Sequence, residues 1–384
     1  MIYRSYGRGN EKFSEIGYGG EHIDGLPENE AISVIEKVVE SGINILDIFM
    51  AGPAIRSQFG KALEGKRKDV YIQGHIGSTW QDEQYVRSRN IDEIKIAFED
   101  LLTRLKTDYI DFGLIHYIDS EENYNEVFDK GSFKYAEELK KQGVIKHLGF
   151  SSHNPLISQK LIETGYFDLL LFSINPAFDM DPISKDDLDM LFEFSGAKSG
   201  NVIIDPARQK LYNSCAAQGI GITVMKTLGA GHLLNADSSP FGKALTIPQC
   251  MKYALDRPGV VSVLLGCRSV AEVEEVMKYY SYIDEEKDYS SIISNLTVET
   301  DGKCMYCNHC LPCSSGIDVA AVNKYYDLAL AGSGKNIPAS VKDHYMSLTK
   351  HASDCTSCGA CVPNCPFGID IPTRMNEAAA LFGI

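Results

Sequence analysis

The chain has 384 residues, 44% hydrophobic and 23% charged, with a formal net charge of −15. That composition fits a globular protein with one large domain and an appendage, and the acidity argues against nucleic acid or an anionic membrane as partner. No apolar run is long enough to span a bilayer and the N-terminus carries no apolar signal segment, so a cytoplasmic protein is expected.

In chain order, short apolar runs alternate with amphipathic stretches. Strands are predicted over Glu15–Gly20, Asn44–Phe49, Val70–Gly77, Tyr109–Tyr117, Ile145–Ser152, Asp168–Pro176, Gly221–Leu228 and Val260–Cys267. Helices are predicted between them over Glu28–Ser41, Ile91–Lys106, Tyr135–Lys141, Gln159–Thr164 and Gln249–Asp256, where apolar residues recur at three and four. Eight such units over about 250 residues give an α/β fold, a (β/α)8 TIM barrel. A doubly wound sheet is the alternative, but no Gly-x-Gly-x-x-Gly follows the first strand. Residues 177–200 read as an insertion after the sixth strand, where barrel loops shape active sites. The barrel is expected to occupy residues 1–282, and a small helical domain residues 283–384.

That second region holds eight of the eleven cysteines. They fall in two runs, Cys304-x-x-Cys307-x-x-Cys310-x-x-Cys313 and Cys355-x-x-Cys358-x-x-Cys361-x-x-x-Cys365-Pro366. This is the spacing of two-cluster ferredoxins, in which the fourth cysteine of each run ligates the other cluster. Cys304, Cys307, Cys310 and Cys365 are therefore expected on one [4Fe–4S] cluster, and Cys355, Cys358, Cys361 and Cys313 on a second. Paired C-x-x-C units also build zinc sites, which remains the alternative. Exposed clusters are oxidation-prone, so an anaerobic setting is expected. Cys215, Cys250 and Cys267 read as packing thiols.

The order of local signatures resembles the aldo-keto reductases, specifically the branch with a C-terminal two-cluster ferredoxin domain. The matching pieces are Ile16-Gly-Tyr-Gly-Gly20, Gly42-Ile-Asn-Ile-Leu-Asp47, Phe59-Gly-Lys-Ala-Leu63, Asp108 to His116, Gly149-Phe-Ser151 and Met225-Lys-Thr-Leu-Gly-Ala-Gly231. The resemblance implies an Asp, Tyr, Lys and His at the barrel mouth, with Tyr as proton donor. Asp47 and His116 match, whereas Gly52 stands at the Tyr position and His75 at the Lys position. No tyrosine occurs between Asp47 and Tyr71. A general acid contributes about 10²–10⁴-fold, so its loss predicts different chemistry, with Asp47, His75 and His116 as the catalytic set. His75 or His116 is the expected donor, imidazole titrating near neutrality.

The resemblance also places a cofactor against Ser151, Ser152, Lys226, Leu228, Gly229, Gly231 and Arg268. The relatives' amide-binding residues read Ser152 and Leu171 here, so nicotinamide recognition is eroded, while the Lys226–Gly231 loop remains a candidate phosphate cradle. FMN is expected ahead of NADP(H), because flavin splits a hydride into the single electrons that clusters carry; a plain tight turn is the alternative. His22, His75, His116 and His153 all follow strand ends and are expected to share a pocket, with a metal as one reading. Trp80 is a candidate wall of that pocket; His147 and His309 read as structural. The function expected is an iron–sulfur oxidoreductase passing electrons between a donor such as ferredoxin, flavodoxin or NAD(P)H, the clusters and a small organic substrate. The alternatives are an NADP(H)-dependent reductase with histidine as acid, and a non-catalytic electron-transfer module.

Overall fold

Runs of β-branched and leucine residues buried on both faces pair only with parallel neighbours covered by helices, and eight of them do so here. The structure is a computed structural model that describes residues 1–9, 11–180, 204–293, 304, 310–331, 337, 339–346, 348–365 and 368–384. Twelve strands are present among the described residues: β1 (Tyr3–Ser5), β2 (Lys12–Ser14), β3 (Ile16–Gly19), β4 (Ile45–Ile48), β5 (Tyr71–Ile76), β6 (Ser78–Gln81), β7 (Gln84–Arg87), β8 (Ile110–Ile115), β9 (Ile145–Ser152), β10 (Leu169–Ser173), β11 (Gly221–Met225) and β12 (Val260–Leu265). β3, β4, β5, β8, β9, β10, β11 and β12 close into a parallel barrel, β12 pairing back onto β3 through Val263–Ile16 and Leu265–Tyr18. These are the eight expected strands, seven a little shorter than their apolar runs and β9 coinciding with its own.

The helices follow from capping and face. Asn90 accepts the Asp92 N–H to start the helix Ile91–Leu105, which buries Ile94, Phe98, Leu101 and Leu105 on one side and ends where Lys106 turns left-handed at φ 52°. The helix Pro53–Ala62 lies so close to it that a Cβ on Gly60 would come within 1.9 Å of the Arg104 carbonyl oxygen.

Two antiparallel hairpins supplement the barrel, and neither was expected from the sequence. β1–β2 sits under the N-terminal end, where Tyr6 and Phe13 join Ile45, Phe112 and Leu169 in a buried cluster. His147 belongs to this end, stacked on Phe112 and bonded to Glu11, as befits a structural residue. β6–β7 follows β5 at the C-terminal mouth, with a turn in which Asp82 and Glu83 take φ 48° and 60°.

Of the expected insertion, Pro176–Asp179 forms one helical turn, and residues 181–200 lie outside the described residues. The buried Asp179 carboxylate accepts from the Tyr212 and Tyr253 hydroxyls at 2.5 and 2.9 Å. In the C-terminal region the helices Val319–Ala331, Ala339–Met346 and Ile371–Phe382 surround their own apolar cluster of Ile317, Val322, Tyr345, Met375 and Phe382.

Candidate functional site

Parallel strands deliver their last residues to one end of a barrel, and that end holds the polar network. β4 supplies Asp47, β5 supplies Gln73 and His75, and His116 follows β8 directly. His75 Nε2 lies 2.9 Å from Asp47 Oδ1, to which the Gln73 amide also donates at 2.8 Å. The two histidines meet nitrogen to nitrogen, His75 Nδ1 2.8 Å from His116 Nδ1. On its other side His116 Nε2 is hydrogen-bonded to the hydroxyl of Tyr85, carried by β7. Phe49 stacks on His116 at 5.8 Å and 9° and meets Tyr85 edge-on. All five polar residues are buried. Burial first, and then the neighbouring His75, hold the His116 imidazole well below its ordinary range, so it is neutral at pH 7. Burial likewise pushes the Tyr85 phenol up, keeping it protonated.

Tyr85 is the residue sequence reasoning missed. It follows Asp47 by far more than the family's spacing, and only the β6–β7 fold-back returns it to the mouth. The same hairpin covers the vacated tyrosine position: a Cβ on Gly52 would touch the Trp80 ring at 3.5 Å. Trp80 thus packs over Gly52 and pairs across the hairpin with Tyr85.

A second network stands beside the first. Asp119 Oδ2 lies 2.8 Å from His153 Nδ1, and Lys226 Nζ lies 2.8 Å from His153 Nε2. Burial and then the Lys226 ammonium, against the Asp119 carboxylate, push His153 down to about 4. Lys226, just past β11, holds a left-handed backbone at φ 62°. Glu21, after β3, has its carboxyl pushed up to about 7 by burial, opposed by Lys226 and reinforced by Asp318, Asp24 and Asp47.

The four histidines make different contacts: His75 and His116 pair, His153 joins Asp119 and Lys226, and the His22 ring rests on Gly266, where a Cβ would come within 2.1 Å of it. Among the described residues no three His, Cys, Asp or Glu converge on a single ion. Two amides of the Lys226–Gly231 loop are used within it, Gly229 N–H donating to Lys226 O at 2.9 Å and Gly231 N–H to Leu228 O at 3.0 Å. In this arrangement neither amide fits a cofactor phosphate. Ser151 Oγ accepts the Tyr117 N–H, and Ser152 Oγ donates to Ile118 O, so both hydroxyls hold the loop after β8. Leu171 is buried in the barrel interior, and Arg268 is exposed with its backbone N–H on Glu272.

Cys313, of the first run, lies with three cysteines of the second. Cys313, Cys355, Cys358 and Cys361 line one cavity with Pro312, Ile317 and Met375. Burial and the neighbouring Cys355, Cys313 and Cys358 thiols push Cys361 up to about 11. Four thiols ringing one cavity fit a four-iron cube, whose ligands stand apart around a volume rather than on one ion. Of the other set, Cys304, Cys310 and Cys365 pack against the same apolar cluster, and Cys307 and His309 lie outside the described residues. The thiols of Cys215, Cys250 and Cys267 are buried and each pushed up to about 12 by burial, as packing thiols are.

Among the described residues the cysteine region is hydrogen-bonded to the barrel as follows. Cys313 N–H donates to Gln84 Oε1 at 3.3 Å, His232 Nε2 lies 2.9 Å from Cys304 O, and the Tyr117 hydroxyl donates to Asn364 O at 3.3 Å. Gln84 precedes Tyr85, and Tyr117, with a left-handed φ of 54°, follows His116.

Comparison with known proteins agrees with this architecture. Residues 15–246 match the Aldo/keto reductase family and residues 348–369 the 4Fe-4S binding domain. The oxidoreductase YqkF of Bacillus subtilis is 27% identical over 282 residues, covering 72% of this chain and 90% of that protein. The aldo-keto reductase YhdN of the same organism is 24% identical over 336 residues, 77% of this chain and 94% of YhdN. Among solved structures, the holo form of aldo-keto reductase AKR11C1 from Bacillus halodurans superposes with a TM-score of 0.61 at 20% identity, covering 78% of this chain and 98% of that one. With a closed parallel barrel and a family match over most of its length, the chain belongs to the aldo/keto reductase family, as an oxidoreductase bearing a C-terminal 4Fe–4S ferredoxin-type segment.

Proposed function

We propose that this protein is an iron–sulfur oxidoreductase in which two [4Fe–4S] clusters pass electrons from an external carrier to a small organic substrate at the barrel mouth. The observation that carries this reading is the seating of the cysteine region: among the described residues Cys313 and the neighbour of Cys365 are bonded to Gln84 and Tyr117, beside Tyr85 and His116, and Cys304 to His232 after β11. Clusters held there supply electrons one at a time. Cys304, Cys307, Cys310 and Cys365 would hold one, and Cys313, Cys355, Cys358 and Cys361 the other, within a domain beginning near residue 283.

The barrel's own part is proton management. Asp47 orients His75 through Nε2, His75 orients His116 through Nδ1, and the neutral His116 is ready to accept or relay a proton. Lys226 places a positive charge beside the mouth for an anionic group of the substrate. FMN or NADP(H) would be held at the loop after β11, where the Gly229 and Gly231 amides are engaged in turns and the buried Thr227 hydroxyl has no partner among the described residues.

The test is an anaerobic preparation assayed for iron, sulfide and flavin, followed by His116→Ala. About eight irons per chain, with substrate turnover lost in the variant while the clusters remain, supports the reading. Two zincs and no sulfide sink it. Oxidation of NADPH by a Cys358→Ser protein at the wild-type rate would favour the nicotinamide-dependent reductase, and turnover unchanged in His116→Ala would favour a non-catalytic barrel.

A further inference from the structure

The polarity of the buried chain can be assigned from its partners. An ionised Asp47 accepts, so His75 Nε2 carries a hydrogen and its Nδ1 is a lone pair. His116 Nδ1, facing that lone pair at 2.8 Å, must then carry the hydrogen, which leaves His116 Nε2 as an acceptor. The only partner shown at Nε2 is the Tyr85 hydroxyl, which therefore donates. Every hydrogen in the chain points toward Asp47.

Resting on the oxidoreductase reading above, the geometry points to Tyr85 as the proton-exchanging end of a four-residue relay, Asp47–His75–His116–Tyr85, recruited from the β6–β7 hairpin. The relay is loaded when Asp47 carries a proton, which reverses every bond. When Tyr85 gives its hydroxyl proton to the substrate, its oxygen takes one from His116 Nε2. His116 Nδ1 takes one from His75 Nδ1, and His75 Nε2 takes one from the Asp47 carboxyl. One proton leaves Asp47, one arrives on the substrate, and no electron moves in this step. What remains is the inward-pointing chain with an ionised Asp47.

Two independent features support the assignment. The Trp80 ring, paired with Tyr85 across the hairpin, packs over Gly52, so one hairpin both covers Gly52 and supplies a phenol. Gln84, adjacent to Tyr85, holds the backbone amide of Cys313, tying the proton carrier to the cysteine region from which electrons would come. Tyr85 donates, and its neighbour anchors the source.

The relay is tested on anaerobic holoprotein in two arms. In the first, histidine 15N resonances are recorded for wild type and Tyr85→Phe, a change that keeps the ring and removes only the hydroxyl. The expected result is a shift of His116 Nε2 accompanied by a shift of His75 Nδ1, reporting one coupled chain; His75 resonances that do not move overturn the relay whatever the rates. In the second, dithionite-reduced methyl viologen is the donor and a panel of aldehydes, quinones and enones the acceptors. Tyr85→Phe should lower kcat about 10²–10⁴-fold with iron content unchanged and a changed solvent deuterium isotope effect. The Tyr85→Phe/His116→Ala pair should lose little more than either alone, as groups acting as a unit do. Turnover of Tyr85→Phe within twofold of wild type overturns the assignment. A wild type inert toward the whole panel counts against the electron-delivery reading, and the resonance arm still decides the relay.

Discussion

His75 and His116 face each other through their Nδ1 atoms at 2.8 Å, a contact that two imidazoles can make only by placing one hydrogen between them. Because both rings are buried, each is a necessary partner of the other. His75→Phe leaves Asp47 Oδ1 with Gln73 alone and His116 Nδ1 unpaired. An unsatisfied buried polar group costs about 1–3 kcal/mol, so unfolding in guanidinium should begin at visibly lower denaturant than in wild type. An unshifted midpoint would show that the pair carries no structural weight.

Protonation gives a sharper signature at His153. Its folded pKa of about 4 lies below the ordinary 6.5, so between those values the unfolded chain binds a proton that the folded chain does not. Stability is then lost as pH falls through this window. Glu21, raised to about 7, runs the other way, so the measurement is the difference between wild type and His153→Gln. That difference should shrink by about 1.4 kcal/mol per pH unit below 6.5. Parallel pH curves would refute a neutral buried His153.

The crossed cysteine assignment predicts a pattern of losses. Cys313 stands in the first run by sequence but lines the cavity of Cys355, Cys358 and Cys361. Cys313→Ser and Cys355→Ser should therefore perturb the same cluster in low-temperature electron paramagnetic resonance, and Cys365→Ser the other. If Cys313→Ser instead alters the signal that Cys304→Ser alters, and Cys365→Ser the one that Cys355→Ser alters, the clusters are ligated run by run.

Gly60 tests the helix layer. Its Cβ-free face lies against the Arg104 carbonyl, where an alanine methyl would come within 1.9 Å. Two helix backbones must separate to admit it, and overpacking costs about 1–3 kcal/mol or more. Gly60→Ala should lower Tm by several degrees, a drop absent from an exposed substitution such as Glu64→Ala.

The barrel was legible because its strands are apolar on both faces, and Val260–Leu265 or Leu169–Ser173 admits few other readings. Asp47, His75 and His116 were legible because strand ends converge. Tyr85 was not, and the reason is local. A two-residue hairpin of the primed type needs positive φ at both central residues and usually announces itself as Asn-Gly, whereas here Asp82-Glu83 takes that conformation without a glycine. The glycines of the loop after β11 read as an anion cradle, and what they build locally is a pair of turns: Gly229 and Gly231, at φ 56° and 91°, donate to the carbonyls of Lys226 and Leu228. Composition reveals which backbone angles are allowed, not which acceptor each amide finds.

The first residues of the chain are fastened to the last barrel strand. Arg4 donates to the carbonyls of Leu255 and Val260, and the Tyr18 hydroxyl to that of Cys267. A nascent chain leaving the ribosome therefore carries its opening hairpin without those partners until some 250 further residues have been made. β3 must likewise wait for β12 before its free edge is covered. For this protein the interval of synthesis between Ser14 and Val260 is a period of exposed strand edges, which makes it the stage at which chaperone capture and aggregation compete with folding.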